Sequence, residues 1–262
     1  MSIQVPDYVP GHGLLKDRSV LITAAAGKGI GFATARRAVE EGARTVMVSD
    51  IHEGRLAQAV EELSALAPGC AVHGQLCNVT QEDEVQALVS AAEDRLGGVD
   101  VLVNNAGLGG LRPVVEMGDE EWQRVLDVTL TGTMRMTRAM LPHMNTRRAG
   151  AIVNNASVLG WRAQKGQAHY SAAKAGVMAL TRCSGLEAAE HGVRINAVSP
   201  SIAMHEFLAR SAPEDALRAL AEREAFGRAA EVWEVANVIV FLASDYASYM
   251  VGEVVSVSSQ HA

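Results

Sequence analysis

Six short runs rich in β-branched and other apolar residues recur along the chain: SVLIT (19–23), TVMVSD (45–50), DVLVNN (100–105), AIVNNA (151–156), VRINAV (193–198) and EVVSV (253–257). Amphipathic stretches lie between them. FATARRAVEEG (32–42), EDEVQALVSAAEDRLG (82–97) and AAKAGVMALTRCSGLEAAEHG (172–192) read as helices, the last with Gly192 as its expected C-cap. A further strand is expected near 70–77 (CAVHGQLC). Strands that alternate with helices pair in parallel through right-handed crossovers. Runs that are apolar throughout, rather than at every second position, imply a sheet covered on both faces. No linker, repeat or low-complexity segment divides the sequence. The expected fold is therefore α/β, a single Rossmann-like, doubly wound domain over 18–262. Residues 1–17, with Pro6, Pro10, Gly11 and Gly13, read as an extended N-terminal arm.

Composition narrows the function classes. Hydrophobic residues make up 48% of 262, enough for a large core. The formal charge is −7 and the pI about 5.6, which argues against nucleic acid or an anionic membrane surface as a partner. Cys70, Cys77 and Cys183 have neither CxxC spacing nor a histidine cluster beside them, so they are expected as buried free thiols in a reducing compartment, and no metal site is expected. The first residues lack the basic and apolar regions of a secretion signal. No apolar run approaches the ~20 residues of a membrane span. A cytoplasmic location is expected.

The first strand runs into TAAAGKGIG, with helix expected from Phe32 onward. Gly27, Gly29 and Gly31 thus fall where a dinucleotide pyrophosphate would meet free backbone N–H groups and the positive end of a helix. A Cβ there would hold the phosphates away. Asp50 closes the second strand and is placed to accept from the adenosine ribose hydroxyls and to repel a ribose phosphate, which favours NAD over NADP. Lys28, inside the loop, pulls the other way. An ordinary turn aspartate would also suit position 50.

In HYSAAK, Tyr170 and Lys174 are four residues apart, on one helix face. A phenol with a pKa near 10 is a poor base at neutral pH. An ammonium about 4–5 Å away, at an effective dielectric near 20, favours the phenolate by roughly 3–4 kcal/mol, enough to bring the tyrosine within reach of neutrality. Such a phenolate takes an alcohol proton as hydride leaves the same carbon, and the phenol returns it in reduction. Ser157, at the end of AIVNNA, is placed to hydrogen-bond the same substrate oxygen.

With these motifs together the sequence resembles the short-chain dehydrogenase/reductase family over nearly its whole length. The resemblance is carried by GKGIG, NNAG (104–107), Ser157 thirteen residues before Tyr170, YSAAK (170–174), INAVSP (195–200) and the ending FGRAAEVWEVANVIVFLASDYASYMVGEVVSV. It implies about seven parallel strands, and dimers or tetramers built partly on the helix of Tyr170. It implies Ser157, Tyr170 and Lys174 as catalytic residues, with Lys174 also on the nicotinamide ribose. It implies a cofactor site formed by Gly27, Lys28, Gly29, Ile30, Gly31, Asp50, Asn78, Val79, Asn104, Asn105, Ala106, Gly107, Pro200 and Ile202. The segment 200–227 is expected as a lid over the substrate.

The sequence also departs from the family pattern. An alanine within Ala24–Ala26 replaces the first loop glycine, Asn78 an aspartate, and Thr129 an asparagine that supports a water relay to the lysine. Ser201, His205 and Ser258–Ser259 replace a glycine, a threonine and the terminal glycines. As a set, TAAAGKGIG, VTLTG, NNASVLGWRAQ, SPSIA and SVSSQ resemble a narrower group, the actinobacterial reductases of steroid C/D-ring breakdown. That likeness implies a hydroxylated hydrindane carboxyl-CoA thioester as substrate, its ring hydroxyl oxidised to a ketone in cholesterol catabolism. Trp161, Arg162 and Lys165 are candidates to meet it, an indole against the alicyclic ring and basic groups toward CoA phosphates. A packed tryptophan and solvated charges are the alternative. His169 and His205 are expected to be structural. Two other functions remain open at this stage: an NADPH-dependent 3-oxoacyl-thioester reductase, and a non-catalytic dinucleotide-binding scaffold.

Overall fold

The computed structural model describes residues 3–205, 208 and 214–259. The apolar runs form the sheet. β1 (Ser19–Ile22), β2 (Thr45–Asp50) and β4 (Val101–Asn104) are buried throughout, as strands covered on both faces must be. β3 (Ala71–Leu76), β5 (Gly150–Asn155), β6 (Val193–Pro200) and β9 (Val254–Val257) complete a seven-stranded sheet in the order β3-β2-β1-β4-β5-β6-β9, every neighbour parallel. Alternation along β1 divides the core: Val20 and Ile22 face one layer and Leu21 the other. The first layer is closed by α1 (Ile30–Glu40), α2 (Glu53–Leu66) and α8 (Val232–Ala243); the second is closed by α3 (Glu82–Leu96) and α5 (Gly132–Arg147). α6 (Ala168–Ala189) packs on β6 and buries Ala173, Val177 and Met178. α4 (Asp119–Leu126) leads through a π-helical turn (Asp127–Thr131) into α5. Two-residue strands β7 (Ala203–Met204) and β8 (Ala230–Glu231) pair beside α8, and α7 spans Glu214–Glu222. Of the lid expected over 200–227, residues 206, 207 and 209–213 lie outside the described residues.

The strand order reverses between β1 and β4, so a crevice opens at the carboxyl ends of the strands, where open α/β sheets bind ligands. The glycine loop after β1, Asp50, Asn105, Asn155, Ser157 and Pro200 all sit at those ends.

Two expectations need correction. Cys70 and Cys77 are buried, but Cys183 is exposed, because it lies three residues before the 72%-exposed Leu186 on the outer face of α6. That helix ends at Ala189 with Glu190 as C-cap; Gly192, at φ 75°, makes the turn into β6 instead.

The N-terminal arm has no regular structure over 3–12, yet it is docked. The Tyr8 ring meets Trp233 edge-on at 5.3 Å, lies under the guanidinium groups of Arg36 and Arg37, and its hydroxyl bonds Glu40. Beneath it Arg37 and Glu41 form a buried ion pair at 2.7 Å, and the Glu41 carboxylate accepts from the N–H groups of His12 (2.8 Å) and Leu14 (2.9 Å). Removing one member of such a pair leaves an uncompensated buried charge. Glu41→Leu is expected to lower unfolding free energy by about 3 kcal/mol in urea titrations. A loss below about 0.5 kcal/mol, the usual range for surface substitutions, would show that this anchor adds nothing.

Candidate active site

The glycine loop starts with strain. Ala24, where a glycine was expected, adopts φ 50°, a left-handed conformation that costs an alanine about 1–2 kcal/mol. The Ala24 carbonyl accepts from Asn105 Nδ2 at 2.9 Å, and the Ala25 N–H donates to the Ser49 carbonyl at 2.9 Å, so the turn is tied to β4 and β2. Gly27 takes φ 93° with open space around it. At Gly31 a Cβ would strike Asn105 and the Ala24 carbonyl, so only glycine fits. α1 begins at Ile30 without a side-chain cap, which leaves its first N–H groups to an anion.

Around this loop the expected residues converge. Asp50 is 7% exposed; its carboxylate accepts from the backbone N–H groups of Ala26 (3.3 Å) and His52 (3.0 Å) and from Arg55 Nη2 (3.3 Å). Arg55 is a residue the sequence reading missed, although its position in the first turn of α2 was a signal. Lys28 is exposed. Asn78 gives its carboxamide oxygen to Thr80, and Val79 is buried against Gly132. The N–H groups of Asn105 and Ala106 both donate to Thr23 Oγ1. Asn104 is not in this row; it bonds Asn154 and Thr137 on the opposite sheet face. Pro200 ends β6, and the Ile202 carbonyl accepts from Ala230. His205, which stands in place of a cofactor-contacting threonine of the family, is near the loop: its imidazole lies 3.9 Å from where a Cβ would stand on Gly29.

On the other side of the crevice, the Ser157 hydroxyl hydrogen-bonds the Tyr170 phenol and accepts from the Leu159 N–H at 3.2 Å. Lys174 Nζ lies 5.5 Å from the Tyr170 ring centroid and donates to the Asn155 carbonyl at 2.5 Å. The three side chains therefore come together as expected, but their electrostatics differ from expectation. Burial pushes the Tyr170 phenol up to about 12, outweighing the Ser157 hydrogen bond, and pulls Lys174 down to about 7.

Thr129 is tied to the loop after NNAG. Its hydroxyl accepts from the Leu108 N–H (3.0 Å) and donates to the Leu108 carbonyl (3.1 Å), while its own carbonyl accepts from Thr133 Oγ1 (2.8 Å). It clamps the loop that follows NNAG. That loop passes Tyr170 at Gly109 and His169 at Gly110. His169 is fully buried, Nε2 3.6 Å from Glu121 Oε1, which suits the structural role expected of it. Arg112 N–H donates to the Gly166 carbonyl at 2.8 Å, joining the loop to residues 161–166. Between the two segments runs a groove of about 760 Å³ lined by Val114, Val115, Trp161, Arg162, Lys165 and Ser171, so the three expected substrate residues share one surface, whose lining includes none of Ser157, Tyr170 and Lys174.

A family model described as enoyl-(acyl carrier protein) reductase matches residues 24–259. The chain is 61% identical to (5R,7aS)-5-hydroxy-7a-methyl-1-oxo-2,3,5,6,7,7a-hexahydro-1H-indene-carboxyl-CoA reductase of Mycobacterium tuberculosis, over 98% of this chain and 97% of that protein. The chain belongs to the short-chain dehydrogenase/reductase family. A short-chain dehydrogenase of known structure from Mycobacterium smegmatis is 58% identical over 99% of each chain, with a TM-score of 0.88. A more distant member, the 3-oxoacyl-acyl-carrier-protein reductase of Thermotoga maritima, is 39% identical over 93% of this chain and 97% of its own. As a member of this dehydrogenase/reductase family the chain is an oxidoreductase that takes a nicotinamide dinucleotide, and the scaffold alternative falls. The residues present fit that group: the uncapped α1 terminus, the Gly31 cradle and the Asp50 carboxylate line one wall of the crevice. Among the described residues no helix is long and apolar enough to cross a membrane, and no cluster of metal-ligating side chains occurs.

Proposed function

We propose that this chain oxidises the ring hydroxyl of a hydrindane carboxyl-CoA thioester to the ketone with NAD, a cytoplasmic reaction of steroid C/D-ring breakdown. The observation that carries the reading is the 61% identity, end to end, to the hydroxy-methyl-oxo-hexahydroindene-carboxyl-CoA reductase. Relatives acting on acyl-carrier-protein substrates match at 39% and below, which favours the CoA reading over the fatty-acyl one.

The Ser157 and Tyr170 hydroxyls are hydrogen-bonded to each other, which supports a substrate oxygen held by both. A bound nicotinamide dinucleotide supplies the hydride acceptor and a positive charge when oxidised. Tyr170 Oη takes the hydroxyl proton, and Lys174, fixed on the Asn155 carbonyl, favours the phenolate to the extent that it is charged. The alicyclic ring lies between Gly109 and Trp161, and the CoA portion leaves along the groove toward Arg162 and Lys165. Asp50 selects NAD by repelling a ribose phosphate, although Arg55 and Lys28 offset part of that repulsion.

The test is to follow reduced-cofactor formation with the hexahydroindene carboxyl-CoA alcohol and with its free acid, each with NAD and NADP. At least about tenfold higher kcat/KM for the thioester, and for NAD, is expected, the scale of one to two charge-assisted contacts. Equal rates for free acid and thioester would remove the CoA assignment, and preference for NADP would reverse the cofactor assignment.

A further inference from the structure

The Thr129 hydroxyl is engaged by the Leu108 N–H and carbonyl, and its own carbonyl accepts from Thr133 Oγ1. The hydrogen-bond partner of the ammonium is on β5. Asn155 gives its carbonyl to Lys174 Nζ at 2.5 Å, and its side-chain Nδ2 donates to Asn105 Oδ1 at 3.0 Å. Asn105 in turn donates through Nδ2 to the carbonyls of Ala24 (2.9 Å) and Thr23 (3.3 Å). A row of two amides thus runs under the crevice from the lysine to the first turn of the glycine loop. The Asn155 Oδ1 oxygen is buried with no hydrogen-bond partner among the described residues. A buried acceptor of that kind is costly unless a donor arrives, and water or a ribose hydroxyl at the crevice floor is such a donor.

We propose that Asn155 is a positioning residue for Lys174, its carbonyl seating the ammonium and its side-chain amide, locked on Asn105, fixing that carbonyl relative to the glycine loop. The proposal rests on the reading of Tyr170 and Lys174 as the proton-transferring pair. Tyr170 is the titratable group that faces the ammonium from its own helix; Gly107 and Asn155, both uncharged, approach it from the neighbouring elements. Burial pulls Lys174 down, and the Asn155 carbonyl is the acceptor that favours the charged form against it. Loosening the acceptor lets the lysine lose its charge at lower pH, and the phenolate then forms only at higher pH.

Asn155→Leu removes both ends of the amide at nearly constant volume. With the hexahydroindene carboxyl-CoA alcohol and NAD, kcat near neutral pH is expected to fall at least about tenfold, and the acid limb of the pH profile to move up by about one unit. Most of the rate should return at alkaline pH, with NADH affinity within about fivefold of wild type by fluorescence titration. If Asn155→Leu does not fold, Asn155→Ser carries the same direction of shift. An unmoved limb, or a loss of rate uniform across pH, would overturn the proposal, the second by making Asn155 merely structural. Failure of the underlying reading would look different: Tyr170→Phe would then retain wild-type turnover.

Discussion

Tyr170→Phe is expected to lower kcat by about 10²- to 10⁴-fold, the range that a positioned proton donor or acceptor contributes. The substitution keeps the ring, which packs beside Gly109, and removes only the hydroxyl that bonds Ser157. Cofactor affinity should change little, because Asp50 and the glycine loop lie on the other wall of the crevice. Steady-state kinetics with the hexahydroindene carboxyl-CoA alcohol, paired with NADH fluorescence titration, separates the two. A phenylalanine variant as active as wild type would show that another group moves the proton. Since burial raises the phenol to about 12, wild-type oxidation should also climb with pH, and the variant should lose that dependence.

Lys174→Met is expected to abolish turnover to a similar degree while making the cofactor-free protein more stable at mildly acidic pH. Lys174 titrates at about 7 in the folded chain, against an ordinary lysine value of 10.5. The unfolded state therefore binds more protons between those values, and stability rises as pH climbs from about 7 to about 10.5. Below about pH 7 the penalty is fully present, on the order of 4–5 kcal/mol as an upper limit. Methionine has nearly the volume of the lysine stem and no charge to bury, so it removes both the penalty and the slope, at the cost of one hydrogen bond to Asn155. Denaturant titrations at about pH 6 and about pH 9 should find the variant more stable at the first and close to wild type at the second. A variant less stable than wild type at both would mean that the lysine is better solvated than its burial implies.

The fold was legible where burial is complete. β1, β2 and β4 are buried at every position because helices cover both faces, and the short apolar runs at their centres mark them in the sequence. β3 was harder to read. As the sheet edge it is only half-buried and carries His73 and Gln75 among its apolar residues. The Ser–Tyr–Lys constellation and the glycine loop were legible because residue type and spacing encode them. Three features were not, each depending on contacts distant in sequence. The direction in which Tyr170 shifts depends on burial, which outweighs the Ser157 hydrogen bond. Thr129 keeps its clamp on Leu108 hidden until the π-turn brings them together. Cys183 looks like a core thiol until the outer face of α6 is known.

Hydride transfer between the ring carbinol and the nicotinamide can be tested with one label. The alcohol substrate is deuterated at the carbinol carbon, turned over by wild-type protein with NAD, and the NADH examined by mass spectrometry and proton NMR. Deuterium on the nicotinamide ring of the NADH, in equal amount to the ketone formed, is the expected result. Deuterium lost to water, or ketone formed without labelled NADH, would contradict direct transfer.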